Sequence, residues 1–289
     1  MKGRGCHWPQ TSDFFFKFFR AFCLLGRLTN IAREYSLYYL ENRKERIMIT
    51  LKGKVAVVTG CSSGIGAAVV RLFLSLGAEV RGIDLNPPPD DIRGRIKFLQ
   101  TDISDEKALE LLASYADFAR VDVLINNAGI DQQTSATIED WPMITKILKT
   151  NLIGTLHLSL LLAERTPECS SIINVTSVHT QRAFRNALGY DTTKNGLWGA
   201  TKTLALQLAP RKIRVNSVAP GFIYPTGITE RYLTPEQARE VAKKVPLQRP
   251  GTPQDVAQAC AFLASDVAAY ITGIELPVDG GFLLEGPFS

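Results

Sequence analysis

From Met48 almost to the C-terminus, short apolar runs alternate with longer stretches whose apolar residues recur at helical spacing. Residues 55–58, 79–84, 96–100, 121–126, 171–176, 213–218 and 275–278 read as strands, and several are apolar almost without a break. Such runs suit strands buried on both faces of a parallel sheet. Between them the pattern predicts helices over 67–76, 107–119 (with Ser104 as N-cap), 188–208, 235–244 and 253–265. A further, long helix is predicted from Trp141 or Pro142 to Glu164.

Strict alternation of this kind, with no second type of composition after Met48, predicts a single α/β domain of doubly wound Rossmann type. Its seven-stranded sheet is expected to be mostly parallel. In such sheets ligands bind beyond the carboxyl ends of the strands. Gly60, Asp84, Asp102, Asn127, Ser177 and Pro220 each follow a strand directly and are predicted to converge on one edge.

The first strand runs into a turn punctuated by Gly60, Gly64 and Gly66, and a helix follows. A helix start presents unpaired N–H groups and the positive end of a dipole to an anion. Glycines let a pyrophosphate approach where a Cβ would block it. The spacing is TGxxxGxG rather than GxGxxG, and taken alone the triplet also fits a tight turn with no ligand.

Composition changes this picture little. Of 289 residues, 45% are hydrophobic and 21% charged, as in ordinary globular proteins. The net charge of +5 lies wholly in residues 1–47, with 9 Lys/Arg against 4 Asp/Glu, so the body offers no basic footprint for nucleic acid. Cysteines 6, 23, 61, 169 and 260 show neither CxxC nor zinc spacing. They read as reduced thiols of a cytoplasmic protein, and no metal site is expected.

Residues 14–25 are aromatic and apolar with two embedded cations, shorter than the roughly 20 residues that span a bilayer. No stable membrane insertion is expected. An amphipathic surface segment, a helical extension and an upstream stretch preceding a true start at Met48 all fit. The abrupt change of composition favours the start at Met48, so residues 1–47 are read as an extension and 48–289 as the dinucleotide-binding domain.

Two features carry chemistry. Asp84 ends the second strand, where a carboxylate can accept both ribose hydroxyls of an adenosine and repel a 2′-phosphate. Leu85 and Asn86 follow with no cation, which favours NAD over NADP; a merely solvated strand-end acid is the other reading. Tyr190 and Lys194 are spaced i, i+4 on one helix face. An ammonium beside a phenol is expected to lower its pKa from about 10, so that it trades a proton near neutral pH. Ser177, at the end of the preceding strand, could hold the reacting oxygen.

Thr59-Gly60-Cys-Ser-Ser-Gly64-Ile-Gly66, Asn126-Asn-Ala-Gly129, Asn151, Ser177, Tyr190-x-x-x-Lys194 and Pro220-Gly221 together resemble the short-chain dehydrogenase/reductase family, collinearly over about residues 50–285. Phe262-Leu-Ala-Ser-Asp and Val278-Asp-Gly-Gly281 are similar to its 3-oxoacyl-carrier-protein reductase and sugar-alcohol dehydrogenase branch. The resemblance implies an NAD(P)(H)-dependent oxidoreductase that interconverts a carbonyl and a secondary alcohol, on a 3-oxoacyl thioester or on a sugar or polyol. A catalytically silent nucleotide-binding redox sensor is the alternative, since a fold does not fix a function.

By the same resemblance Gly60, Ser63, Gly64, Ile65 and Gly66 line the phosphates, Asp84 takes the ribose, and Asp102 and Ile103 flank the adenine. Asn127 lies along the cofactor, and the Ile223 backbone meets the carboxamide. Tyr190 becomes the general acid/base, and Lys194 lowers its pKa and holds the nicotinamide ribose. Ser177 polarises the substrate oxygen, and Asn151 holds a water that links Lys194 to solvent. Trp198, His179 and Phe184 are candidates for the substrate wall or simple packing. Residues 222–252, with Tyr224, Ile228, Tyr232 and Leu233, are expected to cover the substrate. One departure is Pro225 where the family has Thr or a similar residue; Thr226 follows, so either the loop is re-registered or a pyrophosphate contact is lost. The helices near 142–164 and 188–208 resemble surfaces that pair family members into homodimers or homotetramers. Leu156, Leu160, Leu197 and Leu204 there suit core or interface equally.

Overall fold

β1 (Val55–Thr59), β2 (Glu79–Asp84), β3 (Lys97–Gln100), β4 (Val123–Asn126), β5 (Ser171–Val175), β6 (Arg214–Pro220) and β7 (Glu275–Val278) lie side by side in the order β3-β2-β1-β4-β5-β6-β7. The computed structural model describes residues 49–284, so the expectations for residues 1–47 fall outside the described part. Every strand pair is parallel, and β1 pairs with β2 on one side and β4 on the other. The chain thus reverses its winding between β1 and β4, and that switch point is where such sheets open a crevice.

Side chains alternate across β1. Ala56 and Val58 join a core with Phe73, Val256 and Cys260, beneath α1 (Gly64–Ser75) and the last long helix. Val57 faces the opposite layer, with Leu109, Leu158 and Leu204. That layer is built from α2 (Glu106–Ser114), the helical run containing α3 (Trp141–Leu148) and α4 (Thr155–Ala163), and α5 (Leu188–Leu208). Burial on both faces accounts for the near-continuous apolar runs.

The helices depart from the sequence pattern at three places. Asp105, not Ser104, caps α2, accepting from the Lys107 and Ala108 N–H groups at 3.0 and 3.2 Å. The Ser104 N–H is already taken by the Asp102 carboxylate at 2.8 Å. The helix ends at Ser114, with a separate 3-10 turn at Ala116–Phe118 in place of one run to 119. The predicted long helix is broken by a π-helical segment, Lys149–Gly154, between α3 and α4. There the helix touches the loop after β3 so closely that a Cβ on Gly154 would lie 2.1 Å from the Ile103 carbonyl oxygen.

α6 (Pro235–Ala242) and α7 (Pro253–Ala264) both start with a capping box and a proline in the first turn. Around α7 Arg249 also forks onto Asp255 at 2.8 and 3.1 Å. Of the leucines weighed for core or interface, Leu197 and Leu204 are buried and Leu160 is exposed.

Candidate active site

The turn between β1 and α1 sits at the switch point, and its shape depends on missing side chains. Gly60 has φ +66°, and a Cβ there would lie 2.7 Å from Asn127 Nδ2. A Cβ on Gly66 would lie 1.9 Å from the Gly60 carbonyl oxygen. Asn127 Nδ2 donates to the carbonyls of Thr59 and Gly60, both at 3.1 Å. Its backbone N–H and that of Ala128 donate to Thr59 Oγ1, both at 3.0 Å. Asn127 therefore clamps the glycine turn to the end of β4. Ser63, at the N-cap of α1, makes no side-chain cap, and the first turn carries no acid. Its N–H groups thus remain available to an anion. Gly64 and Ile65 open that turn.

Asp84 leaves β2 pointing at the same turn, its carboxylate accepting from the Ser62 N–H at 2.9 Å and the Asn86 N–H at 3.0 Å. Asp102 follows β3, engaged with Ser104. Ile103 is a core residue at 5% exposure, its carbonyl packed against Gly154. Ile223 is likewise buried and bridges to Gly251. Past Pro225 the loop brings Thr226 over α1: a Cβ on Gly64 would be 3.6 Å from Thr226 Cβ. Thr226, the residue after Pro225, thus stands beside the helix start.

Ser177, Tyr190 and Lys194 converge beyond β5. Ser177 opens a 3-10 turn, Val178–Thr180, and its hydroxyl accepts the His179 N–H at 3.3 Å. Tyr190 and Lys194 share a face of α5, with Lys194 Nζ 5.3 Å from the Tyr190 ring centroid. The Lys194 ammonium is buried and donates to the Val175 carbonyl at 2.8 Å. Desolvation lowers its pKa to about 8, against the smaller, opposing pull of the Asp131 carboxylate.

Tyr190 departs from expectation. Desolvation of its hydroxyl first, and the Asp131 carboxylate second, push its pKa well above the usual phenol value, and the side-chain hydrogen bond with Ser177 offsets only part of this. The Lys194 ammonium, 5.3 Å from the ring centroid and bonded to the Val175 carbonyl, does not reverse the balance. Asn151 lies in the π-helical segment, 1% exposed, and brackets Ile130: Oδ1 accepts its N–H and Nδ2 donates to its carbonyl, both at 2.8 Å. π segments of this kind occur mostly at functional sites.

Several neighbours were not legible beforehand. Asp131 follows the bracketed Ile130, and desolvation raises its carboxyl above the ordinary range. Asp191, next to Tyr190, accepts from His179 Nδ1 at 2.5 Å and from the Phe184 N–H at 3.1 Å. His179 meets the Tyr190 ring edge-on with centroids 5.0 Å apart, and it stacks on Phe184 at 4.0 Å. Of the proposed wall residues, these two reach the site, whereas Trp198 packs beneath the Lys202 ammonium. Under the site a buried polar relay runs from Asn126 to Asn174 and on to Thr201, each step 2.8 Å, ending at Ser217. The two asparagines stand at the last or next-to-last positions of their strands, which was the available cue.

Crevice, glycine turn and tyrosine–lysine pair define a nucleotide-dependent oxidoreductase of doubly wound architecture. The family model described as enoyl-(acyl carrier protein) reductase matches residues 60–283. The 3-oxoacyl-[acyl-carrier-protein] reductase of Thermotoga maritima is 36% identical over 250 residues, 81% of this chain and 99% of that one. The ligand-free aldohexose dehydrogenase of Thermoplasma acidophilum superposes with a TM-score of 0.76 at 31% identity, covering 83% of this chain and 97% of that one. A Beutenbergia cavernae protein described as an NAD(P)-dependent gluconate 5-dehydrogenase, solved with NADP at low occupancy, gives a TM-score of 0.73 at 30% identity, covering 82% of this chain and 99% of that one. The chain belongs to the short-chain dehydrogenase/reductase family, whose members use NAD(P).

Proposed function

We propose that the chain moves hydride between a nicotinamide dinucleotide and a carbonyl or secondary alcohol, with NAD(H) as its preferred cofactor. The observation that carries this reading is the meeting of Ser177, Tyr190 and Lys194 at the same sheet edge as a glycine turn that a single Cβ would close. The cofactor supplies the hydride acceptor or donor. The residues fit it: the open first turn of α1 suits a pyrophosphate, and Asp84 suits an unphosphorylated ribose.

In this reading Gly60, Ser63, Gly64, Ile65 and Gly66 cradle the phosphates, while Asp102, the Ile103 main chain, Asn127 and the Ile223 main chain border the rest of the dinucleotide. The Tyr190 hydroxyl gives its proton to the substrate oxygen during reduction and takes it back during oxidation. The Ser177 hydroxyl donates a hydrogen bond to that oxygen. Lys194 holds a positive charge beneath the ring, and Asn151 fixes the main chain behind it and holds the water route to Lys194. Desolvation of the Tyr190 hydroxyl holds the proton on the phenol, which suits the reducing direction. A bound oxidised nicotinamide, being cationic, acts the other way.

Asp84 carries the cofactor preference. Asp84→Ser is expected to raise the Kd for NADH about tenfold and bring NADPH binding level with it, read by nucleotide fluorescence. Unchanged discrimination would remove Asp84 from the account. Both substrate branches, thioester and sugar or polyol, are represented among the relatives, which lend the silent-sensor alternative no support. A panel of an acetoacetyl thioester, an aldohexose, a polyol and a simple cyclic ketone, each with NAD(H) and NADP(H), tests the reading. It fails if nucleotide binds and nothing turns over.

Lys194 gives a pH signature. Its folded pKa of about 8 lies below the unfolded value of 10.5, so between these the unfolded chain binds more protons and stability from this group rises with pH. Wild type is expected to gain on the order of 1.5 kcal/mol over Lys194→Met between pH 8 and 9.5 in urea unfolding. A constant difference across that window contradicts the buried ammonium. Exposed Ile153 on the π-helical segment, Leu160 on α4 and Leu188 on α5 support a homodimer or homotetramer, which light scattering tests. Among the described residues no helix is long and apolar enough to cross a membrane. Cys61, Cys169 and Cys260 are free thiols, in keeping with a cytoplasmic setting.

A further inference from the structure

The segment that presents Ser177 is held by a carboxylate from a distant part of the chain. Glu275 opens β7, two strands from β5 across β6, and its side chain is only partly exposed. Its Oε1 accepts from Thr176 Oγ1 at 2.6 Å. Its Oε2 accepts from Thr180 Oγ1 at 2.7 Å and from Gln181 Nε2 at 3.3 Å. Thr176 and Thr180 bracket Ser177.

Each threonine hydroxyl has one proton and a second acceptor within reach. For Thr176 this is the Val218 carbonyl at 3.1 Å, and for Thr180 the Ser177 carbonyl at 2.8 Å. An ionised carboxylate is the stronger acceptor, so both protons point to Glu275. The turn is thereby pinned across the sheet rather than closed on itself. On its other side the Asp191 carboxylate takes His179 Nδ1 and the Phe184 N–H. The Ser177 hydroxyl, bonded to the His179 N–H at 3.3 Å, sits between the two carboxylate anchors.

We propose that Glu275 is a positioning residue for Ser177: by gripping Thr176 and Thr180 it fixes the turn that aims the Ser177 hydroxyl at the substrate oxygen. The inference rests on the reading of Ser177 given above. Glu275 touches neither substrate nor cofactor in this role. Its effect arises because a small misplacement of a group that orients the reacting oxygen is costly in rate.

The test uses the full chain with Glu275→Val, which keeps a strand-forming side chain, and Glu275→Gln, which keeps one carbonyl acceptor. With whichever carbonyl of the panel wild type reduces, Glu275→Val is expected to lower kcat roughly tenfold with the NADH Kd unchanged. Glu275→Gln is expected to recover most of that loss. In a Ser177→Ala background Glu275→Val should cost nothing further, since the group it aims is gone. Additive losses, or an unchanged kcat in Glu275→Val beside an impaired Ser177→Ala, overturn the proposal alone. Full activity of Ser177→Ala overturns the reading of Ser177 and the proposal with it.

Amide hydrogen exchange supplies a readout that needs no substrate. Residues 177–184 are expected to exchange about fivefold faster in Glu275→Val while residues 60–66 keep their wild-type rates. Equal rates in residues 177–184, or acceleration throughout the chain, overturn the positioning role.

Discussion

Tyr190→Phe is expected to lower kcat about a thousandfold in both directions while the NADH Kd stays within about twofold of wild type. The substitution removes one oxygen and leaves the ring, so the edge-on contact with His179, with centroids 5.0 Å apart, persists. The buried Lys194 keeps its bond to the Val175 carbonyl. What disappears is the only hydroxyl of this cluster that stands beside Ser177 and above the ammonium at once. Steady-state kinetics with fluorescence titration of NADH separates the two effects. A kcat within tenfold of wild type would mean that the proton travels by another route, and Tyr190 would lose its assigned role.

Gly66→Ala is expected to have the largest effect on binding and stability together. The added Cβ would sit 1.9 Å from the Gly60 carbonyl oxygen and 2.6 Å from Asn127 Nδ2, and the nearer atom is backbone that cannot swing aside. The turn must open, breaking the Asn127 bonds to the Thr59 and Gly60 carbonyls. Overpacking of this kind costs about 1–3 kcal/mol, and NADH affinity should fall at least about tenfold as the N–H groups of α1 lose their alignment. Gly199→Ala is the control: within α5, with nothing inside 4 Å of the new Cβ, it should be neutral or slightly stabilising. Equal melting temperatures for Gly66→Ala and wild type, with equal NADH affinity, contradict the close-approach argument.

The central strands β1, β4 and β5 were legible because a strand buried on both faces leaves an apolar run that few other environments produce, whereas β3 and β7, at the sheet edges, are only partly buried. The helix ends were less so. Ser104 and Asp105 are both competent caps, and it is the Asp105 carboxylate that accepts the Lys107 and Ala108 N–H groups. The π-helical break leaves no signature in apolar period, and only Gly154, squeezed against the Ile103 carbonyl, hints at it.

At the site, short spacings revealed the glycine turn and the Tyr190–Lys194 pair, and strand ends revealed Asp84 and Ser177. Properties set by surroundings stayed hidden. The upward shift of the Tyr190 pKa depends on desolvation and on Asp131, which no local motif joins to it. Glu275 meets Thr176 only because the sheet order sets β7 beside β6, a juxtaposition of residues 99 positions apart.

Hydride transfer from the nicotinamide to a carbonyl carbon is the step on which every assigned role depends. NADH carrying deuterium at its transferable C4 position, incubated with the full chain and the carbonyl panel, should yield an alcohol with one deuterium on the newly formed carbinol carbon, read by mass spectrometry. The same incubation with Tyr190→Phe should yield almost none. Tight NADH binding by wild type with no deuterated product from any carbonyl would contradict the account.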